Sequence, residues 1–195
     1  SGVIATLLGL PLGVMLYVTR PRQILAMPVL NQVLGIITNI GRSIPFIILM
    51  VAIIPFTRML VGTSIGINAA SVPLTIAAIP FVARLIEGAL NEISPGLIES
   101  AQSMGATPWQ IITKVLIPEA RGGIITGLTI TLVTLVSYSA MAGAVGGGGL
   151  GDLGIRYGYN RFNPTIMLIT VVILVVLVQG FQSLGDYLVR KSDRK

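Results

Sequence analysis

Pro164-Thr165-Ile166-Met167-Leu168-Ile169-Thr170-Val171-Val172-Ile173-Leu174-Val175-Val176-Leu177-Val178-Gln179-Gly180-Phe181-Gln182-Ser183-Leu184-Gly185 is a stretch of 22 residues without a charge. As an α-helix it would reach about 33 Å, enough to cross the roughly 30 Å of bilayer hydrocarbon. A membrane span is therefore read from Pro164 to about Leu188. The basic flank Arg190-Lys191-Ser192-Asp193-Arg194-Lys195 stops it. Working back along the chain, Ala120 to Ala142 forms another largely apolar run, and a third covers about Asn68 to Ala89. A further span lies within Val29 to Phe56, interrupted by Arg42, and Ser1 to Thr19 is uncharged throughout. Five transmembrane helices result, over about 1–19, 29–56, 68–89, 120–142 and 164–188, in one all-α domain covering 1–195. The chain opens without Met, inside an apolar run, so its natural start is expected to lie upstream. A cleaved signal peptide is the rival reading, but no basic n-region or A-x-A site is present.

Composition points the same way. Of 195 residues, 53% are apolar and 10% charged, against about 25% charged in a soluble domain. Mean hydropathy is +0.90. A β-barrel would need alternating segments of about ten residues, whereas these runs are continuous and longer. The chain has neither Cys nor His, so disulfides, thiolate sites and the commonest general base are excluded. The net charge of +6 is spread too thinly for a phosphate-tracking patch, and nucleic acid is not an expected partner.

Sidedness follows from Lys and Arg. Arg20, Arg22, Arg84, Lys114, Arg121, Arg190, Lys191, Arg194 and Lys195 fall on one side, and Arg58, Arg156 and Arg161 on the other. The richer side is expected to be cytoplasmic, with the N-terminus outside and the C-terminus inside. The segment of roughly Leu90 to Glu119 is then cytoplasmic.

Two motifs tempt and fail. Gly62-Thr63-Ser64-Ile65-Gly66 matches the hydrolase pattern G-x-S-x-G, but Ser64 has no histidine to activate it. Gly146-Gly147-Gly148-Gly149-Leu150-Gly151 matches G-x-G-x-x-G, yet a membrane helix rather than a strand precedes it. It reads as a flexible external loop. The pairs Gly9/Gly13 and Gly123/Gly127 are G-x-x-x-G patterns that let helices approach closely in lipid.

Thr131, Thr134, Tyr138 and Met141 recur on one semi-polar face of the fourth helix, a stripe that could line a path or merely bond its own i−4 carbonyls. Tyr138 and Met141 lie near its outer end, where Met141, flexible and apolar, suits a gate. Arg42 is the one charge deep within a span region; it either faces a pathway or snorkels to the inner headgroups.

The most informative segment is about 94–114, between the third and fourth spans. Ser94 is a good N-cap and Pro95 suits the first helical turn. Leu97, Ile98, Ala101 and Met104 form one apolar face, and Gly105 stops the helix. Thr107-Pro108 repeats the cap-and-proline start for a second short helix through Lys114, and Pro118 breaks the chain. The first helix is too short to span or to stand alone in water. It lacks the basic face of an interfacial helix, which favours a protein partner's groove.

Glu99-Ser100-Ala101, three residues, Gly105, nine residues, then Val115-Leu116-Ile117-Pro118 resembles the E-A-A-x3-G-x9-I-x-L-P loop of ABC importer permeases. Ser100, Val115 and Ile117 depart slightly from that pattern. Arg42-Ser43-Ile44-Pro45-Phe46, Ile54-Pro55-Phe56-Thr57-Arg58, Val61 to Gly66, Tyr138-Ser139-Ala140-Met141 and Gly149-Leu150-Gly151 are similar to the methionine-importing branch. The resemblance implies a homodimer in the bacterial inner membrane, with two cytoplasmic ATPase subunits and an external methionine-binding lipoprotein. It implies that Pro95, Leu97, Ile98, Glu99, Ser100, Ala101, Met104, Gly105, Thr107 and Trp109 couple to the ATPase. Arg42, Thr134, Tyr138 and Met141 are the pathway candidates. No catalytic site, cofactor or metal is expected in this subunit; ATP and Mg belong to the partner. A permease for another amino acid is the nearest alternative. A channel or secondary transporter is the remoter one, since no internal repeat is visible and only Arg42 is an ionisable group near mid-span.

Overall fold

The computed structural model describes residues 1–192, with the side chain of Ala144 left aside; Asp193, Arg194 and Lys195 lie outside it. Among the described residues all regular structure is helical. Helix α1 is Gly2–Val18, α2 Pro28–Ser43, α3 Phe46–Ala52, α4 Ile54–Val61 and α5 Ile67–Asn91. Short helices α6 (Pro95–Ser103), α7 (Pro108–Ile111) and α8 (Ile117–Glu119) lead into α9, Arg121–Ala142. Helix α10 is Gly149–Leu153 and α11 is Pro164–Ser192.

Helix α5 is the axis of the molecule, because both G-x-x-x-G pairs close onto it. A Cβ at Gly9 would lie 2.7 Å from Val82 Cβ, and one at Gly13 2.6 Å from the Ala83 carbonyl oxygen. On the other flank, a Cβ at Gly123 would meet Ala89 Cβ at 2.7 Å, and one at Gly127 would meet Leu85 Cβ at 3.1 Å. Glycine removes the side chains that would hold α1 and α9 away, and the backbones come into contact. Helix α11 repeats the device on α9, with Gly185 against Thr129. Two apolar clusters follow. One joins Tyr17, Val18, Ile86 and Leu90 to Ile98, Ile111 and Leu116 at one end of the bundle. The other gathers Ala5, Phe46, Leu74, Ala78 and Leu135 toward the opposite end.

The structure corrects three expectations. The 29–56 span is not one helix: α2 and α3 meet at 99°. The backbone break lies at Ile44, two residues after Arg42. Pro45 drives the residue before it out of the helical region, and Ile44 is extended at φ −82°, ψ 122°. Thus α5, α9 and α11 are long and apolar enough to cross a membrane, α2–α3 would be a fourth crossing if taken as one broken span, and α1 is a shorter apolar helix of 17 residues. The Gly146–Gly151 stretch is not loop throughout: Gly146, Gly148 and Gly149 make a tight turn with φ of +94°, +74° and +81°, and the short helix α10 begins at Gly149. It folds back so tightly that a Cβ at Gly151 would lie 2.2 Å from the Ala140 carbonyl oxygen. Finally, Pro118 does not break the chain. The helical path runs from Pro108 through a π-helical stretch, Ile112–Leu116, and on past Pro118 in α8.

Candidate functional site

Helix α6 starts and stops as its sequence dictates. Ser94 occupies the N-cap position in extended conformation, though its hydroxyl makes no capping bond, and Pro95 opens the helix. Gly105 has φ +77°; its N–H donates to the Gln102 carbonyl (2.9 Å) and the Ala106 N–H donates to that of Ala101 (3.1 Å). Only a residue at ease in the left-handed region closes a helix this way. Thr107 caps α7 through a full capping box. Its hydroxyl accepts from the Gln110 N–H, and its own N–H donates to Gln110 Oε1 at 2.9 Å. Gln110 was the unread half of that signal.

The apolar face of α6 divides. Ile98 and Ala101, 7% and 4% exposed, are buried against the chain's own Ile93, Ile111 and Leu116 cluster. Leu97 is 40% exposed, Met104 80% and Trp109 72%. The four-residue face therefore cannot seat as a unit in a partner's groove. One half anchors the segment to the spans. The other half, with Glu99, Ser100 and Thr107 exposed beside it, is left open on a fixed platform. A cavity of about 770 Å³ opens beside this segment and is lined by Arg84, Glu92, Ser94, Glu119 and Val189.

A charged cluster that the sequence reading passed over sits beneath this platform. Glu87, 3% exposed, accepts from Arg20 Nη2 and Arg84 Nη1, both at 2.6 Å. Arg20 also donates to Asn91 Oδ1, and Arg84 Nη2 donates to Asn39 Oδ1 (2.8 Å) and to the Gly35 carbonyl (3.2 Å). Asn31 Nδ2 ties α2 to the end of α1 through the Leu16 carbonyl (2.6 Å). A carboxylate this buried needs its partners. The cluster locks α1, α2 and α5 together one turn before Leu90 meets the α6 platform. The Arg84/Glu87 pair, three apart in an apolar run, was the available signal.

The pathway candidates separate into two places. Thr131 and Thr134 each donate to their own i−4 carbonyl at 2.8 Å, so that part of the stripe is internally satisfied. Tyr138 stacks on Phe46 with centroids 4.6 Å apart and rings within 3° of parallel. Tyr138 and Arg42 line one cavity with Phe81 and Ala77. Met141 lines a different, largely apolar groove of about 620 Å³ among α9, α10 and α11, with Leu150, Met167 and Leu174.

Residues 9–194 match the family model described as "Binding-protein-dependent transport system inner membrane component". The chain is 63% identical over 195 residues to the "Probable D-methionine transport system permease protein MetI" of Vibrio cholerae, covering all of this chain and 87% of that one. It is 52% identical over 198 residues to the protein of the same description from Pasteurella multocida, covering all of this chain and 91% of that one. Its fold superposes with a TM-score of 0.96 and 57% identity on a chain of the inward-facing MetNI methionine ABC transporter, over 98% of this chain and 88% of the other.

Proposed function

The chain belongs to the binding-protein-dependent transport system inner-membrane-component family, and from that premise we propose that it is the permease subunit of an ATP-driven methionine importer. Two copies would pair about a two-fold axis and form the path between them, since one bundle with few buried polar groups makes a poor pore. Two cytoplasmic ABC ATPases would bind ATP and Mg, and an external lipoprotein would deliver methionine. In this reading five crossings are made by α1, α2–α3, α5, α9 and α11, in one domain over 1–195. The N-terminus lies outside and the C-terminus in the cytoplasm.

One observation carries the coupling role: Leu97, Met104 and Trp109 stand exposed on a segment whose Ile98, Ala101 and Ile111 are buried against the spans. An ATPase groove closing on those three side chains would push a platform already joined to α5 through Leu90 and to α9 through Leu116 and Ala120. Closure of the ATPases would so be converted into a tilt of the spans, exchanging inward- and outward-open states. Arg42 and Tyr138 would meet the substrate near mid-path, with Thr134 one turn below, and Met141 would close the path at the outer end.

The test is uptake and assembly in the whole transporter. Met104→Glu and Trp109→Glu should each leave a folded, inserted permease but reduce ATPase copurification about tenfold or more, as losing a central contact of 2 kcal/mol or so does. Ala101→Trp, whose site is internal, should instead destabilise the permease itself. Wild-type vesicles should take up methionine, with other amino acids competing poorly. Normal assembly in both Glu variants would remove the docking role, and uptake indifferent to methionine would remove the substrate.

A further inference from the structure

Arg42 stands where a cation has no partner of its own. Its neighbour Gly41 packs on Pro80, a Cβ there lying 3.0 Å from Pro80 Cγ, and Pro80 is at the middle of α5, Ile67–Asn91. Arg42 is therefore level with the middle of α5, deep within a core of roughly 30 Å if α5 crosses it centred. That is too far for its side chain to snorkel out unaided. Among the described residues Arg20, Arg84 and Arg156 have carboxylate partners, whereas no acidic side chain reaches Arg42. A charged side chain at this depth characteristically faces water or a functional partner.

What lies beside it is chemically specific. Arg42 borders a cavity of about 130 Å³ that is also lined by Phe46, Phe81, Tyr138 and Ala77. The Phe46–Tyr138 stack holds two of those rings fixed, and the break at Ile44–Pro45 brings Phe46 back toward α9. The volume is close to the roughly 150 Å³ that admits a benzene-sized group. Guanidinium is the side chain best matched to a carboxylate, and aromatic rings favour a thioether sulfur.

We propose that Arg42 and the Phe46–Phe81–Tyr138 cavity form a substrate subsite within the permease, in which Arg42 pairs with the α-carboxylate of the transported amino acid and the rings receive its thioether chain. This deepens the importer reading and rests on it. The subsite adds a selective step at mid-path.

The chain has no cysteine, so Ala77→Cys supplies a single reporter in the cavity. In the permease–ATPase complex in nanodiscs, methionine should slow its reaction with a thiol reagent, and methioninamide, which keeps the amine and thioether but lacks the carboxylate, should not. Adding Arg42→Gln should raise the concentration for half-protection about tenfold or more, the loss of one charge-assisted pair, while Arg42→Lys should retain part of the protection. ATPase copurification and the melting temperature report whether each variant is folded. Protection unchanged by Arg42→Gln, or matched by methioninamide, overturns the proposal. So does protection that follows anionic lipid content rather than methionine, which would make the anion a headgroup. Wild-type vesicles that import methionine while the subsite test fails would leave the importer reading standing. Vesicles that import none would remove the importer reading, and this proposal with it.

Discussion

At Glu87 a single carboxylate balances two guanidinium groups, one from the loop after α1 and one from α5, and its 3% exposure leaves no solvent to replace them. Removing one partner of a buried pair costs about 3–5 kcal/mol, and the partly exposed arginines put this site near the lower figure. Glu87→Gln keeps the shape but leaves Arg20 and Arg84 facing each other uncompensated. It should lower the thermal midpoint in detergent more than Arg20→Gln, which leaves Glu87 still paired to Arg84. Midpoints unchanged from the wild type in both variants would show that the cluster is ornamental to stability. Gly105 presents a different physics. No atom lies within 4 Å of a Cβ built there, so any penalty comes from its φ of +77° alone. Gly105→Val should cost about 1–2 kcal/mol and re-aim α7, and Gly105→Asn should recover most of it, because Asn tolerates the left-handed region. ATPase copurification of the two variants separates backbone strain from lost volume. The sequence disclosed Gly105 through its position after an apolar helix face. The Arg84 half of the Glu87 cluster was legible at a spacing of three, whereas the Arg20 half stayed hidden because only the fold brings Arg20, 67 positions away, to its side.

Helices meet here through what their glycines lack. Gly9 and Gly13 face Val82, Ala83 and Ile86 closer than any Cβ would allow, whereas a Cβ at Gly88, on the same α5, would meet nothing within 4 Å. Gly13→Val should therefore push α1 from α5, expose the 19–27 connection to protease, and cost at least the 1–3 kcal/mol or so typical of overpacking. Gly88→Val should leave the protease pattern as in the wild type. Parity between the two would mean that α1 is held by the Arg20–Glu87 pair rather than by packing. The G-x-x-x-G spacing announced such a contact without naming the partner, since pattern alone does not say which helix receives it. The five apolar runs were legible for a similar reason: hydropathy is local. What escaped was geometry created by neighbours. The α2–α3 bend depends on Pro45 acting on Ile44. The close fold-back of α10 on α9 brings Gly151 against Ala140, and the split of the α6 face depends on which side meets Leu90 and Leu116.

Across the whole molecule the basic residues gather at one end. The loop after α1 with Arg20 and Arg22, the α6–α7 platform with Lys114, and the start of α9 at Arg121 share that end through the Val18, Leu90, Ile98 and Leu116 cluster. The close of α11 joins them, since Val189 lines the same cavity as Glu92, Ser94 and Glu119, which places Arg190 and Lys191 there too. Arg58, Arg156 and Arg161 belong to the opposite end, where the Gly66 N–H donates to the Gly146 carbonyl at 3.0 Å and Arg58 reaches Ser64. Fold and charge thus divide the chain along the same line, and the positive-inside rule makes the cytoplasm the expected side of the richer end. In a chain without cysteine, Phe162→Cys, at an 89% exposed position, should react with an impermeant thiol reagent applied to cells with permeabilised outer membranes. Lys191→Cys should react only after the inner membrane is opened. A strain without the proposed lipoprotein keeps the outer end uncovered in either case. Labelling of Lys191→Cys from outside, with Phe162→Cys protected, would invert the molecule. It would also carry the Leu97–Met104–Trp109 face away from any cytoplasmic ATPase, so this one measurement bears on the coupling proposal as directly as on the topology.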